Sequence, residues 1–220
     1  MDIKERREPE INLSLGCSLQ AMREMKDNQY DLAIVDPPYG IGNWIPKTTS
    51  AQSSKDETRF NSVTWNNTPP PKEYFTELKR VSKKQIIWGA NYYKDIFPSA
   101  VLVWYKNIGN QNFSQVEIAS LSWGVRCDYV QINWSSGFHR VIKEGEQIHP
   151  CQKPIALYKW LLDKYAKEGD KILDTHLGSG SIACACYDMG FDLDAFEIDT
   201  DYYKDTLLRY TEYSKQCKLF

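Results

Sequence analysis

Residues 171–190 read KILDTHLGSGSIACACYDMG and predict a strand, a loop and a helix in immediate succession. The apolar segment Lys171–Leu173 fits a short strand, and the glycine-bearing loop runs from Asp174 to Ser181. The helix is predicted over Ile182–Met189, where small residues allow close packing on a sheet. Because a strand that leads through such a loop into a helix is typical of parallel sheets, this stretch indicates the α/β class.

The loop and the strand that follows it predict a nucleoside site. Gly178 and Gly180 would let the backbone approach a ligand closely, since a side chain there would collide. Glu197 follows the next predicted strand and could accept hydrogen bonds from ribose hydroxyls. Asp174 precedes the glycines, where it would repel a pyrophosphate and attract a positively charged methionine group. We therefore expect S-adenosylmethionine rather than a dinucleotide, and the alternative is a tight turn without a ligand.

The rest of the chain alternates strands with helices. The seven predicted strands are Ile11–Leu15, Asp31–Val35, Gln85–Trp88, Ala100–Tyr105, Val116–Trp123, Lys171–Leu173 and Asp192–Phe196. The further helices are Ser18–Lys26, with Ser18 as a candidate cap, then Lys72–Ser82, Pro154–Lys167 and Asp201–Tyr213. This alternation predicts one domain over residues 1–220 with a mainly parallel sheet.

Composition excludes several classes of protein. Of the 220 residues, 42% are hydrophobic and 25% are charged, which is typical of globular domains. The longest apolar segments, such as Ala100–Tyr105, are far shorter than the roughly 18 residues that a membrane helix needs. Met1–Glu10 is charged and has no apolar core, so we expect no signal peptide and a cytoplasmic protein. The six cysteines form no CxxC pair, which indicates reduced thiols and no metal site.

The charge distribution suggests a surface for nucleic acid. Lys47–Lys143 holds 13 Lys and Arg against 7 Asp and Glu, whereas the rest of the chain holds 14 against 22. A basic middle within an acidic frame can attract a polyanion, although a solvated surface is the alternative. We expect residues 41–71, with the polar stretch Lys47–Thr68, to be a mobile loop. Both Lys47–Thr68 and residues 106–147 are expected to contact DNA.

Asp36-Pro37-Pro38-Tyr39 ends an apolar strand and predicts catalysis on an amino group. The two prolines end strand pairing and leave a rigid backbone. The Asp36 carboxylate and the Pro37 carbonyl can both accept hydrogen bonds from an exocyclic amino group and aim its lone pair. Tyr39 can stack on a base that has been extruded from its helix.

Three motifs together resemble the amino-methyltransferase family that acts on adenine N6 or cytosine N4 of DNA. The family's catalytic pattern is Asp, Asn or Ser, then Pro-Pro, then Tyr, Phe or Trp, and residues 36–39 match it. Its cofactor loop, often DPFxGSGT, appears at residues 174–181 as DTHLGSGS. Its HPTQKP motif appears at residues 149–154 as HPCQKP. The order, with the catalytic motif first, resembles the group called beta.

The resemblance implies a Rossmann-like S-adenosylmethionine-dependent methyltransferase fold, with a mainly parallel seven-stranded sheet and helices on both faces. It implies methyl transfer to adenine N6 in double-stranded DNA by direct displacement on a flipped base. Asp at position 36 favours adenine within the family pattern. Methylation of cytosine N4 stays open, as do a binding-only protein that keeps the fold and an RNA or protein substrate.

The resemblance also assigns residues. Asp36 and Pro37 would hold the target amino group within the catalytic motif Asp36, Pro37, Pro38 and Tyr39. The cofactor-binding residues would be Cys17, Gln152, Lys153, Asp174, His176, Leu177, Gly178, Ser179, Gly180, Ser181, Glu197 and Ile198. Among them, Gln152 and Lys153 would lie near the cofactor's carboxylate, and Cys17 stands where the family often has an acid.

Other residues have simpler interpretations. Cys151 lies in a Pro-Cys-Gln sequence like that of the nucleophile of cytosine-C5 methylation. The chain already supplies another catalytic motif, so we do not expect Cys151 to be a nucleophile. His149 and His139 are predicted to have surface or capping roles. The candidates for contact with the target base are Trp44, Trp65 and Asn91.

Overall fold

The computed structural model describes residues 7–42, 65–93, 100–109, 114–134 and 147–217. Within them, eight strands form one sheet: β1 Ile11–Leu15, β2 Leu32–Val35, β3 Gln85–Trp88, β4 Ala100–Tyr105, β5 Val116–Leu121, β6 Cys127–Gln131, β7 Lys171–Asp174 and β8 Asp192–Glu197. The described α-helices are α1 Ser18–Glu24, α2 Lys72–Val81, α3 Ile155–Tyr165, α4 Ser181–Met189 and α5 Thr200–Cys217. Short 3₁₀ helices cover Trp65–Asn67 and Ala90–Tyr92.

The order of the sheet is β1-β8-β7-β2-β3-β5-β4-β6. Every neighbouring pair is parallel except the two pairs that β5 makes with β3 and β4. The carboxyl ends of the other seven strands therefore meet at one side of the sheet, which we call the carboxyl edge. Because β5 runs the opposite way, its first residues, and not its last, lie at that edge. Ligands bind at this side of open α/β sheets.

The predicted α/β fold is confirmed, but the sheet has eight strands and not seven. The additional strand is β6, Cys127–Gln131, which pairs in parallel with β4 at the end of the sheet. Val130 is the only residue of β6 that is fully buried. An edge strand needs little hydrophobic patterning because only part of it faces the core, so periodicity gives a weak signal there.

Two hydrophobic layers hold the helices on opposite faces of the sheet. Within β2, Leu32 and Ile34 face the layer under α3 and α4, whereas Ala33 and Val35 face the layer under α1 and α2. This alternation follows from the period of two in a strand. All four residues are at most 1% exposed, as expected for a central parallel strand that is covered on both faces.

The beginning of α1 differs from the prediction. Cys17, and not Ser18, occupies the cap position with extended backbone, and no side chain caps the helix. Ser18 is the first helical residue and is buried. A capping serine must stand just outside the helix, so the one-residue shift removes that function.

The two regions predicted to reach DNA are described only in part. Of residues 41–71, the stretch 43–64 lies outside the described residues, as do Trp44 and the side chain of Trp65. Of residues 106–147, the stretches 110–113 and 135–146, with His139, lie outside them as well. Between these stretches the chain forms β5 and β6, so this part of the predicted contact region belongs to the sheet. Among the described helices, none has the length and apolarity needed to cross a membrane.

Candidate active site

A cavity of about 650 Å³ opens at the carboxyl edge. Its wall includes the whole catalytic motif of residues 36–39 and the glycine-loop residues 176–179. These segments leave β2 and β7, which are paired neighbours with Leu32 opposite Ile172. The sheet therefore brings together two motifs that lie about 140 positions apart in the chain.

The glycine loop is fixed by contacts with β8 and α5. The backbone N–H of Leu177 donates to the Phe196 carbonyl at 2.8 Å, and that of Gly178 donates to Glu197 Oε2 at 2.8 Å. Arg209 of α5 donates to the Ser179 carbonyl at 2.6 Å. These hydrogen bonds with β8 and α5 fix the backbone conformation of the glycine loop.

The structure gives a packing reason for glycine at position 180. A Cβ atom at this position would lie 2.5 Å from Thr206 Cγ2 of α5, and its φ of +71° disfavours other residues. Gly180 therefore permits the packing of α5 against the loop. Gly178 lies beneath the His149 ring, within the cavity wall.

Glu197 and Ile198 form the end of the cavity beside β8. The carboxylate of Glu197 accepts the N–H groups of Gly178 and Asp199, the latter at 2.9 Å, and burial raises the pKa of Glu197 above its usual value. The Ile198 side chain is 64% exposed and lines the cavity, so an apolar surface stands beside the acid.

Asp174 is buried behind the glycine loop, where it is 2% exposed. Its Oδ1 accepts the N–H of His176 at 3.0 Å. Burial raises the pKa of Asp174 to about 7, with further contributions from the charges of Asp36 and Glu197. Burial lowers the pKa of His176 to about 4, so the His176 ring is neutral at pH 7.

The structure places most of the predicted site residues in one cavity. The four catalytic residues line it, and so do eight of the predicted cofactor residues: Gln152, Lys153, His176, Leu177, Gly178, Ser179, Glu197 and Ile198. Four others are not part of its wall: Cys17, Asp174, Gly180 and Ser181.

The catalytic loop is tied to a neighbouring segment through Asn66. The Tyr39 N–H donates to Asn66 Oδ1 at 2.8 Å, and Asn66 Nδ2 donates to the Gly42 carbonyl at 3.0 Å. The Tyr39 hydroxyl donates to Asp36 Oδ1 at 2.5 Å. The tyrosine thereby orients the catalytic acid within its own motif.

Two residues that follow β3 hold the same loop from the other side. The Tyr93 hydroxyl lies 2.6 Å from the Pro37 carbonyl and 3.0 Å from the Pro38 carbonyl, as donor to both. The ring of Tyr92 stacks on Tyr39, with 4.7 Å between centroids and an interplanar angle of 14°. Tyr92 therefore covers one face of the Tyr39 ring.

Four alternating charges cross the centre of the cavity. Lys153 Nζ forms ion pairs with Asp36 Oδ2 and with Glu117 Oε2, the second at 3.0 Å. Lys106 Nζ lies 2.6 Å from Glu117 Oε1. Burial alone would lower the pKa of Lys153, but Asp36 and Glu117 together raise it above its usual value. Burial would raise the pKa of Glu117, and the two lysines lower it instead.

Sequence reasoning missed four residues of the cavity wall, namely Asn66, Tyr92, Lys106 and Glu117, and also Tyr93, which contacts the catalytic loop through the Pro37 carbonyl. None belongs to a recognisable motif, and Glu117 reaches the site because β5 is antiparallel. Asn91 lines the cavity, as the sequence suggested for the target pocket.

His149 and Cys151 also line the cavity. Loss of surrounding water, assisted by the Lys153 charge, lowers the pKa of His149 to about 3, and its neutral Nδ1 accepts the Cys151 N–H at 3.2 Å. His149 therefore accepts a backbone hydrogen bond in the turn before α3 and lies in the cavity wall, where the sequence had predicted a surface or capping role. Although Cys151 is exposed at the cavity, partial loss of surrounding water and the Asp36 charge raise the pKa of its thiol, which disfavours a nucleophilic thiolate.

The sequence of this chain is similar to those of DNA methyltransferases. A family model for N6 and N4 methyltransferases, described as DNA methylase, matches residues 91–208. The Type II methyltransferase M.HpaI of Haemophilus parainfluenzae is 22% identical, over 86% of this chain and 71% of the relative.

Solved structures share the fold. The M1.HpyAVI–SAM complex gives a TM-score of 0.55 at 16% identity, over 90% of this chain and 98% of the other. The cytosine-N4-specific PvuII DNA methyltransferase gives 0.58 at 12% identity, over 94% and 92%. TTHA0409 of Thermus thermophilus, a putative DNA modification methylase complexed with S-adenosyl-L-methionine, gives 0.55 at 12% identity, over 92% and 94%.

Proposed function

Because this chain belongs to the N6/N4 DNA methylase family, we propose that it transfers a methyl group from S-adenosylmethionine to the N6 amino group of adenine in double-stranded DNA. One observation carries the proposal. The catalytic motif and the glycine loop leave the neighbouring strands β2 and β7 and open on a single cavity. A methyl donor and an acceptor bound there would be adjacent, and such positioning accounts for much of catalysis.

The residues beside β7 and β8 fit S-adenosylmethionine. Asp174 lies behind the loop, and its ionised form, which predominates above its pKa of about 7, suits the cationic methionine part. The Glu197 carboxylate offers about four lone-pair sites, so the backbone N–H groups of Gly178, Asp199 and Ile198 leave it an acceptor site for a ribose hydroxyl. The exposed Ile198 offers an apolar face to a purine ring.

The residues of the catalytic loop would hold the target base. Asp36 and the Pro37 carbonyl accept hydrogen bonds from its amino group, and Tyr39 packs against its ring. When bound, the cofactor supplies a methyl carbon whose bond to sulfur breaks as the amino nitrogen attacks, so no covalent enzyme intermediate forms. The methylated nitrogen then loses one proton to water. Cytosine N4 is the alternative target, because cytosine also carries an exocyclic amino group.

The test is incubation of the purified protein with methyl-labelled S-adenosylmethionine and unmethylated DNA, followed by digestion and mass spectrometry of the nucleosides. We expect label in N6-methyladenine. Label in N4-methylcytosine would keep the mechanism and change the target base. Absence of label from DNA, in protein that binds the cofactor, would overturn the proposal.

Substitution of Asp36 tests the role of the catalytic motif directly. Asp36→Ala removes the acceptor of the amino group, and we expect methylation to fall at least about 1,000-fold, as for the loss of a central electrostatic group. Cofactor affinity should change less than about threefold. The control is Asp163→Ala, because Asp163 is exposed on α3 and away from the cavity wall. Full activity of Asp36→Ala would contradict the assignment of the catalytic motif.

A further inference from the structure

Lys153 lies beside the catalytic acid, although its motif suggests a place near the carboxylate of the cofactor. We propose that Lys153 is a positioning residue that fixes the orientation of the Asp36 carboxylate, and that Glu117 holds Lys153 in place. This inference rests on the proposed function, because it concerns the group that would accept the amino hydrogens of the target base.

The position of Lys153 leaves its ammonium group little freedom. The side chain is 3% exposed, and Nζ contacts Asp36 and Glu117 together. Nζ also lies over the Trp88 ring, 5.3 Å from its centre. Pro154, the next residue, immediately precedes α3 and restricts the backbone there. A buried lysine with three such neighbours is ordered by them, since its many rotamers are otherwise open.

Asp36 is consequently held at both oxygens. The Tyr39 hydroxyl donates to Oδ1 and the Lys153 ammonium to Oδ2. A carboxylate offers about four lone-pair sites, so each oxygen retains one for an incoming amino group. With both oxygens anchored, the carboxylate cannot rotate about its Cβ–Cγ bond without breaking a charge-assisted contact. The remaining acceptor sites therefore point in fixed directions.

Glu117 and Lys106 complete the charge balance. The four groups, Asp36, Lys153, Glu117 and Lys106, carry two negative and two positive charges, so the buried cluster is neutral. Lys106 contacts Glu117 but has no ion pair with Asp36 in the described part of the chain. Glu117 thus stands between the lysines, and only Lys153 reaches the catalytic acid. Buried charges are tolerated when they are paired in this way.

The competing interpretation, that Lys153 binds the cofactor's carboxylate, predicts different kinetics. A lysine that acts through Asp36 should affect kcat and leave the KM for S-adenosylmethionine nearly unchanged. A lysine that binds the cofactor should raise that KM whichever residue occupies position 36.

The experiment is a double-mutant cycle of Lys153→Met and Asp36→Asn, with the methylation of DNA measured for all four proteins. Asn keeps a similar shape and a carbonyl acceptor, and the family pattern allows it. We expect Lys153→Met to lower kcat about 100-fold in the wild-type background, within the range seen for electrostatic groups. In the Asp36→Asn background it should cost less than about fivefold, because no charge remains for Lys153 to hold. Equal losses in both backgrounds, or a KM for S-adenosylmethionine raised more than about tenfold, would overturn the proposal.

Folding is controlled separately, because Lys153→Met leaves Asp36 without its cation and Glu117 with Lys106 alone, so two acids lose an ion pair. The variant Lys153→Met/Glu117→Gln removes one of these acids, and it should keep the low kcat while melting close to the wild type. Lys159→Met is the surface control, since Lys159 pairs with Asp188 outside the cavity and is 40% exposed. Wild-type kcat restored in the Lys153→Met/Glu117→Gln protein would refute a positioning role.

Failure of the proposed function can be told from failure of this inference. If the wild type labels no DNA, the proposed function fails, and the coupling of Lys153 to Asp36 is then measured from the melting temperatures of the same four proteins. A coupling within the error of the measurement would overturn the positioning role as well.

Discussion

The loop after β7 and the loop after β2 leave neighbouring parallel strands, yet they are stabilised in different ways. The glycine loop is held mainly through its own backbone, as in the hydrogen bonds from Leu177 and Gly178 to β8. The catalytic loop is held mainly by side chains from elsewhere, among them Asn66, Tyr93 and Lys153. The glycine loop is therefore held by β8 and α5, which follow it within 30 positions of the chain, whereas the catalytic loop is also held by Lys153, 117 positions from Asp36.

Among the variants that compare the two loops, Gly89→Ala should have the largest effect, because Gly89 lies beside the catalytic loop. A Cβ atom there would stand 2.2 Å from the Tyr39 ring, and φ is +73°. We expect Gly89→Ala to lower kcat about 100-fold or more by displacing Tyr39 and with it Asp36, and to leave cofactor affinity within about threefold. Steady-state methylation and calorimetric titration with S-adenosylmethionine measure the two quantities.

Gly124→Ala is the control for the Gly89 variant. Gly124 has a φ of +74°, but nothing lies within 4 Å of an added Cβ atom. Both substitutions carry the backbone cost of about 1 kcal/mol, and only the one at Gly89 adds a collision. Similar losses of kcat in the two variants would mean that backbone strain, and not the contact with Tyr39, explains the effect.

Smaller kinetic effects should distinguish two buried tyrosines, of which Tyr93 contacts the catalytic loop and Tyr74 contacts the glycine loop. Tyr93→Phe removes the donor to the Pro37 and Pro38 carbonyls, and we expect kcat to fall about tenfold with little change in cofactor affinity. Tyr74→Phe removes the contact with Thr175 Oγ1, 2.5 Å away beside Asp174, and should instead weaken cofactor binding about tenfold. The same kinetic pattern in both variants would show that the two loops do not act separately.

The smallest expected effect is the pH dependence of the affinity for S-adenosylmethionine. The pKa of Asp174 is raised to about 7, mainly by burial and further by Asp36 and Glu197, while the His176 N–H and the Lys153 charge act in the opposite direction. A cationic cofactor favours the ionised carboxylate, so affinity for S-adenosylmethionine should rise about fivefold from about pH 6 to pH 8. His149 and His176, with pKa values of about 3 and 4, do not titrate in this window.

Asp174→Asn provides the check on this titration, measured by calorimetry across the same pH range. It keeps an acceptor for the His176 N–H and cannot ionise, so the dependence on pH should become flat relative to the wild type. An unchanged slope in the variant would assign the titration to another group or to the ligand itself.

The sequence by itself determined the parts that depend on neighbouring residues. The strand, glycine loop and helix of residues 171–189 follow from local periodicity and turn chemistry, and the structure has them. The same holds for the end of β2, where two prolines prevent further pairing. The alternation of strands and helices predicts the α/β class and a mainly parallel sheet. Because parallel strands end at the same edge, it also predicts that both motifs meet there.

Only the tertiary structure decided how the catalytic loop is held together. Lys153 and Asp36 are 117 positions apart, and their ion pair depends on the sheet order and the place where α3 begins. Glu117 reaches the site because β5 is antiparallel, and β6 was missed because a half-exposed edge strand carries little apolar patterning. Gly180 illustrates the same limit, since its sequence position suggested a ligand and the structure shows Thr206. Local sequence fixes backbone conformation over a few residues, whereas contacts between distant side chains exist only once the whole sheet has formed.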